Sequence, residues 1–190
     1  SLLLFALITL VRVFNHIPWY DEAHAWTIAE QLNPVDMFWY VKSEGHLFLW
    51  QLLLMPFAKL NFAYPYSMAL LNWLFCLLAV CLLWWKAPFN NWIKVLITFS
   101  FPFLGCYSVV ARCYAVGILL LFALTTLYKD KFKHPVLYSV LLILCANTSV
   151  VALFGATAFG ILFLWDWYKN KPEIQKKSII ATVFILVLGI

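Results

Sequence analysis

Long apolar runs recur along this chain, over residues 1–14, 65–85, 92–110, 113–128, 135–151 and 152–168, and a seventh opens at residue 178. A helix needs ~20 mostly apolar residues to cross a bilayer. Helices suit that setting because each backbone N–H and C=O is satisfied inside the segment. The pattern therefore predicts an all-α polytopic membrane protein with about seven transmembrane helices. A signal peptide or a single anchor would supply one such run, not a series. Composition agrees: 65% of the 190 residues are hydrophobic and 11% are charged, against roughly a half and a quarter in soluble domains. The first and last runs supply 14 and 13 residues, and the chain opens on Ser1 inside one of them. Both terminal helices are expected to continue further, with 1–190 a single N-terminal membrane module of a larger protein.

Lysines gather at 86–94, in "KDKFKH" at 129–134 and in "KNKPEIQKK" at 169–177. Two runs separate each cluster from the next, so all three fall on one face, the cytoplasmic one by the positive-inside rule. The formal charge of +5 then reflects membrane loops, and no nucleic-acid partner is expected.

Residues 44–60, "EGHLFLWQLLLMPFAKL", form the ambiguous run. As a helix, 46–58 reaches ~20 Å, short of a ~30 Å hydrocarbon core, and Pro56 is expected to break its end. A crossing here would also put the acidic segment 15–44 on the lysine side. The run is read as a helix lying in the outer interface, where neighbouring Trp and Tyr suit the headgroup region. Residues 15–64 then make one extracytoplasmic loop with two interfacial helices. The first begins near Asp21, after Pro18, with Trp26, Ala29 and Leu32 on an apolar face, and Pro34 closes it.

Few polar residues break this pattern. Asp21 and Glu22 stand together in "WYDEAHAWTIAEQL", in a chain with eight acidic residues. Acids at a helix start cap free N–H groups and complement the macrodipole. A carboxylate under an apolar ceiling is alternatively a general base, within reach of a lipid-linked substrate. Arg112, in "GCYSVVARCYAVG", lies at a tight turn between two runs. It is either an anchor that snorkels to the interface or a planar fork gripping a phosphate, with Tyr107 and Tyr114 flanking it. Glu44-Gly45-His46 open the interfacial helix, where free N–H groups and an imidazole favour an anion. The spacing of His16 and His24 does not define a metal site. Asn147-Thr148-Ser149 matches the glycosylation pattern but sits too near the membrane. The cysteines at 76, 81, 106, 113 and 145 read as small core hydrophobes.

Taken in order, Asp21-Glu22, "EGHLFLWQLLLMPFAKL" and "YSVVARCYAVGILLLFAL" resemble the GT-C glycosyltransferases that use polyprenyl-phosphate sugars. The likeness is to bacterial members of the protein-mannosyltransferase and aminoarabinose-transferase superfamily. These show "DE", then "GHPPL" opening a juxtamembrane helix, then "eaRpYal". The matching residues are Asp21 and Glu22, Gly45 and His46, and Arg112 with Tyr114. Leu47 and Phe48 replace the family's proline pair, and Cys113 replaces the proline after the arginine.

The resemblance covers nearly the whole chain and implies the N-terminal part of a GT-C-like bundle. It implies transfer of a sugar from a polyprenyl-phosphate donor to an acceptor hydroxyl on a glycan, lipid or protein, with inversion. Asp21 would be the general base and Glu22 its support. Arg112, with His46 and Tyr114, would bind the donor phosphate. A divalent metal accompanies some relatives; the sequence offers no convincing ligand set for one. Two other classes stay open. A transporter or flippase of lipid-linked glycans calls for ionisable groups deep in spans, where this chain has few. A noncatalytic scaffold would not need Asp21, His46 and Arg112 to converge.

Overall fold

The computed structural model describes residues 1–41, 47–170 and 182. His46 and most of the seventh run lie outside them. In chain order the helices are α1 (Leu2–Phe14), α2 (Tyr20–Gln31), α3 (Pro34–Val41), α4 (Leu49–Lys59), α5 (Tyr66–Lys86), α6 (Asn91–Thr98), α7 (Cys113–Leu127), α8 (Pro135–Ala146) and α9 (Val150–Asn170). No strand forms among the described residues. Three segments are long and apolar enough to cross a membrane: α5, α7 with the 3-10 turn that continues it to Asp130, and α9. α1 and α8 are shorter apolar helices.

Local chemistry moves several expected boundaries. The run at 92–110 is divided. α6 ends at Thr98, and a π-helical turn over Pro102–Tyr107 follows, because Pro102 has no N–H and its ring crowds the preceding turn. The last two runs part at 147–149 and not between 151 and 152. There Asn147 Nδ2 donates to the Ile143 carbonyl (2.9 Å) and Thr148 Oγ1 to that of Cys145 (2.8 Å), while Ser149 Oγ accepts from Ala152 N–H (3.2 Å). These short side chains end one helix and begin the next.

Pro34 does not simply close α2; it opens α3 as its first residue, where a missing N–H costs nothing. Asn33 Oδ1 caps that helix, accepting from the N–H groups of Val35 and Asp36 at 3.0 Å each. Pro56 does not break α4 either, which continues to Lys59. The stop comes at Asn61, in the left-handed region at φ 57°. Phe62 N–H donates to the Phe57 carbonyl (3.0 Å), Asn61 N–H to that of Ala58 (3.1 Å), and the Phe57 and Phe62 rings meet at 5.6 Å. That is a Schellman ending with its apolar contact.

α7 is the hub, packing against α5, α8 and α9. Between helices in lipid, close fit replaces the hydrophobic effect as the main attraction. Gly117 allows it here: a Cβ would sit 3.1 Å from Thr148 Oγ1 and 3.4 Å from Ala152 Cβ. Meanwhile Leu3, Leu7 and Val11 on α1, and Val151, Phe154 and Trp165 on α9, are exposed, as apolar side chains that face lipid or a partner are. α4, at ~16 Å, is too short to span and packs on α2. Their shared core holds Ala25, Trp26, Ala29, Trp50, Leu54 and Met68.

The bundle has two chemically different ends. Arg112 precedes α7 and Lys129 follows it, ~25 Å apart along a helix. The Phe14 and Tyr66 rings, 5.9 Å apart, join the end of α1 to the start of α5. The intervening segment therefore leaves and re-enters the bundle at one end, that of Arg112. Lys86 closes α5 at the other.

Candidate functional site

The start of α2 is built by Glu22. Trp19 occupies the N-cap in an extended conformation and makes no side-chain cap bond. Glu22, three residues on, supplies the missing acceptor: its Oε2 accepts from Trp19 N–H at 2.8 Å, one half of a capping box. The same oxygen meets His16 Nε2 at 2.8 Å. Oε1 reaches across 89 residues of chain to accept from Ala111 N–H at 2.6 Å. The Glu22 side chain is 1% exposed, so this is a buried carboxylate with both oxygens engaged. Its charge is felt nearby: the Tyr64 phenol is pushed above its usual range, first by burial and then by Glu22.

Ala111, held this way, fixes the residue after it. Arg112 stands extended at the N-cap of α7 (φ −132°, ψ 174°). Its Nη1 donates to Asp21 Oδ2 at 2.5 Å, across 91 residues. The guanidinium carbon lies 5.5 Å from the Tyr114 ring centre, a cation–π distance. Tyr114 in turn packs on Tyr107 at 6.3 Å, whose carbonyl accepts from Asn72 Nδ2 of α5 at 2.9 Å. The arginine is thus oriented from three sides, by α2, by the turn before α7 and by the tyrosine pair.

Asp21 and Arg112 line a cavity of about 360 Å³ with His24 of α2, Trp50 and Gln51 of α4, and Cys113. A volume of this order suits a small ligand or a headgroup. Trp50 Nε1 and Gln51 Oε1 are buried and have no hydrogen-bond partner among the described residues. Such orphans are costly and rare; here both belong to residues that line the cavity, and the two atoms themselves are shielded.

Set against the sequence, Asp21 and Arg112 do meet on one cavity, but in direct contact and not across open space. Among the described residues no apolar ceiling covers Asp21: its side chain is 52% exposed and its neighbour is an arginine, itself 19% exposed. Glu22 sits behind the site, with no oxygen left over for an acceptor. Tyr114 touches the site through the guanidinium. His46 lies outside the described residues. Among the described residues no group of three or more His, Cys, Asp or Glu gathers as metal ligands, and the two nearest carboxylates are committed to Arg112 and to N–H donors. Asp166, the acid of α9, pairs with Lys131 at 2.7 Å, at the lysine end and away from mid-span.

Sequence reasoning passed over Trp50, Gln51 and the cavity role of His24. The signal for Gln51 was available: it is an amide inside the apolar stretch "LFLWQLLLM". Comparison of the chain with known family models, curated proteins and solved structures finds no match.

Proposed function

We propose that this chain is the membrane module of a GT-C-like glycosyltransferase, which moves a sugar from a polyprenyl-phosphate donor to an acceptor hydroxyl. In this reading about seven helices span the plasma membrane, and the site faces the extracytoplasmic side, opposite the lysines. The observation that carries the reading is the pairing of Asp21 with Arg112 over one cavity, at the end of the bundle away from Lys86 and Lys129.

The chemistry follows from that pair. At rest the guanidinium is neutralised by Asp21. A donor phosphodiester, carrying one negative charge, competes for the guanidinium, whose fork fits phosphate oxygens. Arg112 then turns to the phosphate, and the Asp21 carboxylate is released as a base. The acceptor oxygen attacks the anomeric carbon as its proton passes to Asp21. The bond from that carbon to the phosphate oxygen breaks, and its electron pair leaves with the lipid phosphate. The leaving group now carries two negative charges, so the interaction with Arg112 strengthens along the reaction. A single in-line displacement inverts the anomeric centre.

The test uses the protein in proteoliposomes with a synthetic polyprenyl-phosphate hexose, reading release of polyprenyl phosphate. Asp21→Asn should abolish release while leaving expression and insertion intact. Near-normal turnover in that variant would remove the base assignment.

A further inference from the structure

A second cleft, of about 630 Å³, opens at the opposite end of the bundle. α7 packs against both α5 and α9, and the cleft lies over its last turns. Leu82 and Leu83 of α5, Phe122 of α7, and Phe159 and Leu162 of α9 give it apolar walls, and Lys86 and Lys129 are part of its lining. Among the described residues no acidic one lines it.

The lysines at this end are not equivalent. Lys94 donates to the Trp84 carbonyl at 3.0 Å, Lys131 pairs with Asp166 at 2.7 Å, and Lys133 pairs with Asp130 at 2.6 Å. The acids are thereby neutralised. Lys86 and Lys129, the two that border the cleft, are exposed and make no hydrogen bond or ion pair among the described residues. Phe89 and Leu162, also in the lining, are 47% and 45% exposed, so the cleft opens sideways toward whatever surrounds the bundle. Around three helices of membrane-crossing length, that surrounding is lipid. A basic rim above an apolar cleft between such helices complements an anionic headgroup with an acyl chain beneath it.

We propose that this cleft binds an anionic glycerophospholipid of the lysine-side leaflet. Its phosphate lies at Lys86 and Lys129, and an acyl chain rests on Leu82, Phe122, Phe159 and Leu162. The site is separate from the Asp21–Arg112 cavity and does not depend on the transferase reading.

The experiment is native mass spectrometry of the detergent-purified protein, titrated with phosphatidylglycerol or phosphatidylcholine of identical acyl chains. Phosphatidylglycerol should be retained preferentially. With a preference of about fivefold per lysine, the Lys86→Gln/Lys129→Gln variant should lose about twenty-five-fold and retain both lipids alike. Leu82→Trp, which fills the cleft without touching the charges, should lower retention of both lipids. Equal retention by the unaltered protein, or a preference unchanged in the double variant, would overturn the proposal. Displacement by Leu82→Trp of neither lipid would equally remove the acyl chain from the cleft.

Discussion

Replacing Glu22 by alanine should damage the fold far more than replacing Asp21, although the two acids are adjacent and equally conspicuous. Glu22 is buried, and its oxygens serve Trp19 N–H, Ala111 N–H and His16. Removing the side chain strands Ala111 N–H in a site where Ala111 itself is fully buried, at a cost of about 1–3 kcal/mol. Loss of the helix-start bond adds about 0.5–2 kcal/mol. Together these come to roughly 2–5 kcal/mol, or a fall in Tm of about 4–20 °C at the usual slope for a chain of this size. Glu22→Gln keeps the shape and one acceptor oxygen but turns an amide NH₂ toward a donor, so its loss should be intermediate. Asp21→Asn breaks a half-exposed ion pair, worth roughly 0–1 kcal/mol, and should leave Tm nearly unchanged. The assay is thermal unfolding in detergent, followed by intrinsic tryptophan fluorescence. A Glu22→Ala protein melting within a degree of the unaltered one would refute the structural role. So would an Asp21→Asn protein destabilised as much as Glu22→Ala.

Arg112→Ala should lower turnover on the order of 10²–10³-fold, by analogy with the loss of a charged donor to a leaving anion; unchanged kinetics would reduce Arg112 to an anchor. Gln51→Leu replaces a buried unpartnered oxygen by an apolar group of similar size. It should hold or raise Tm, and a lowered Tm would mean that the amide is satisfied in the fold. In a chain cleared of its five cysteines, single cysteines at Leu60 and Lys129 should differ in access. An impermeant maleimide should label the first in sealed right-side-out vesicles, and the second only after permeabilisation. Labelling of both from one side would overturn the topology.

The course of the chain was legible where hydrocarbon alone decides it. The runs containing α5, α7 and α9 stand out because ~20 consecutive apolar residues have few other uses. Boundaries were misread where short polar side chains overrule an apolar run. Asn61 ends α4 through a left-handed residue, and Asn147-Thr148-Ser149 divide two helices that hydropathy sets four residues later. Both signals are present as residue types, but they act through local hydrogen bonds that an average over a window erases. Pro34 and Pro56 show the reverse: a proline is easily read as a stop, yet at the first turn it starts α3, and within α4 it is tolerated.

The sequence by itself determined that the chain is helical, that its longer helices suit a bilayer, and that three lysine clusters stand apart from the Asp21-Glu22 pair along the chain. Each of these depends on the character of a contiguous stretch or on the order of such stretches. Tertiary structure decided which of the two acids faces the cavity. It buried Glu22 against Ala111, leaving Asp21 on the cavity with Arg112. That choice could not be read beforehand because the deciding partner is a backbone N–H. Every residue except proline carries one, and only packing brings this one within 2.6 Å of Glu22.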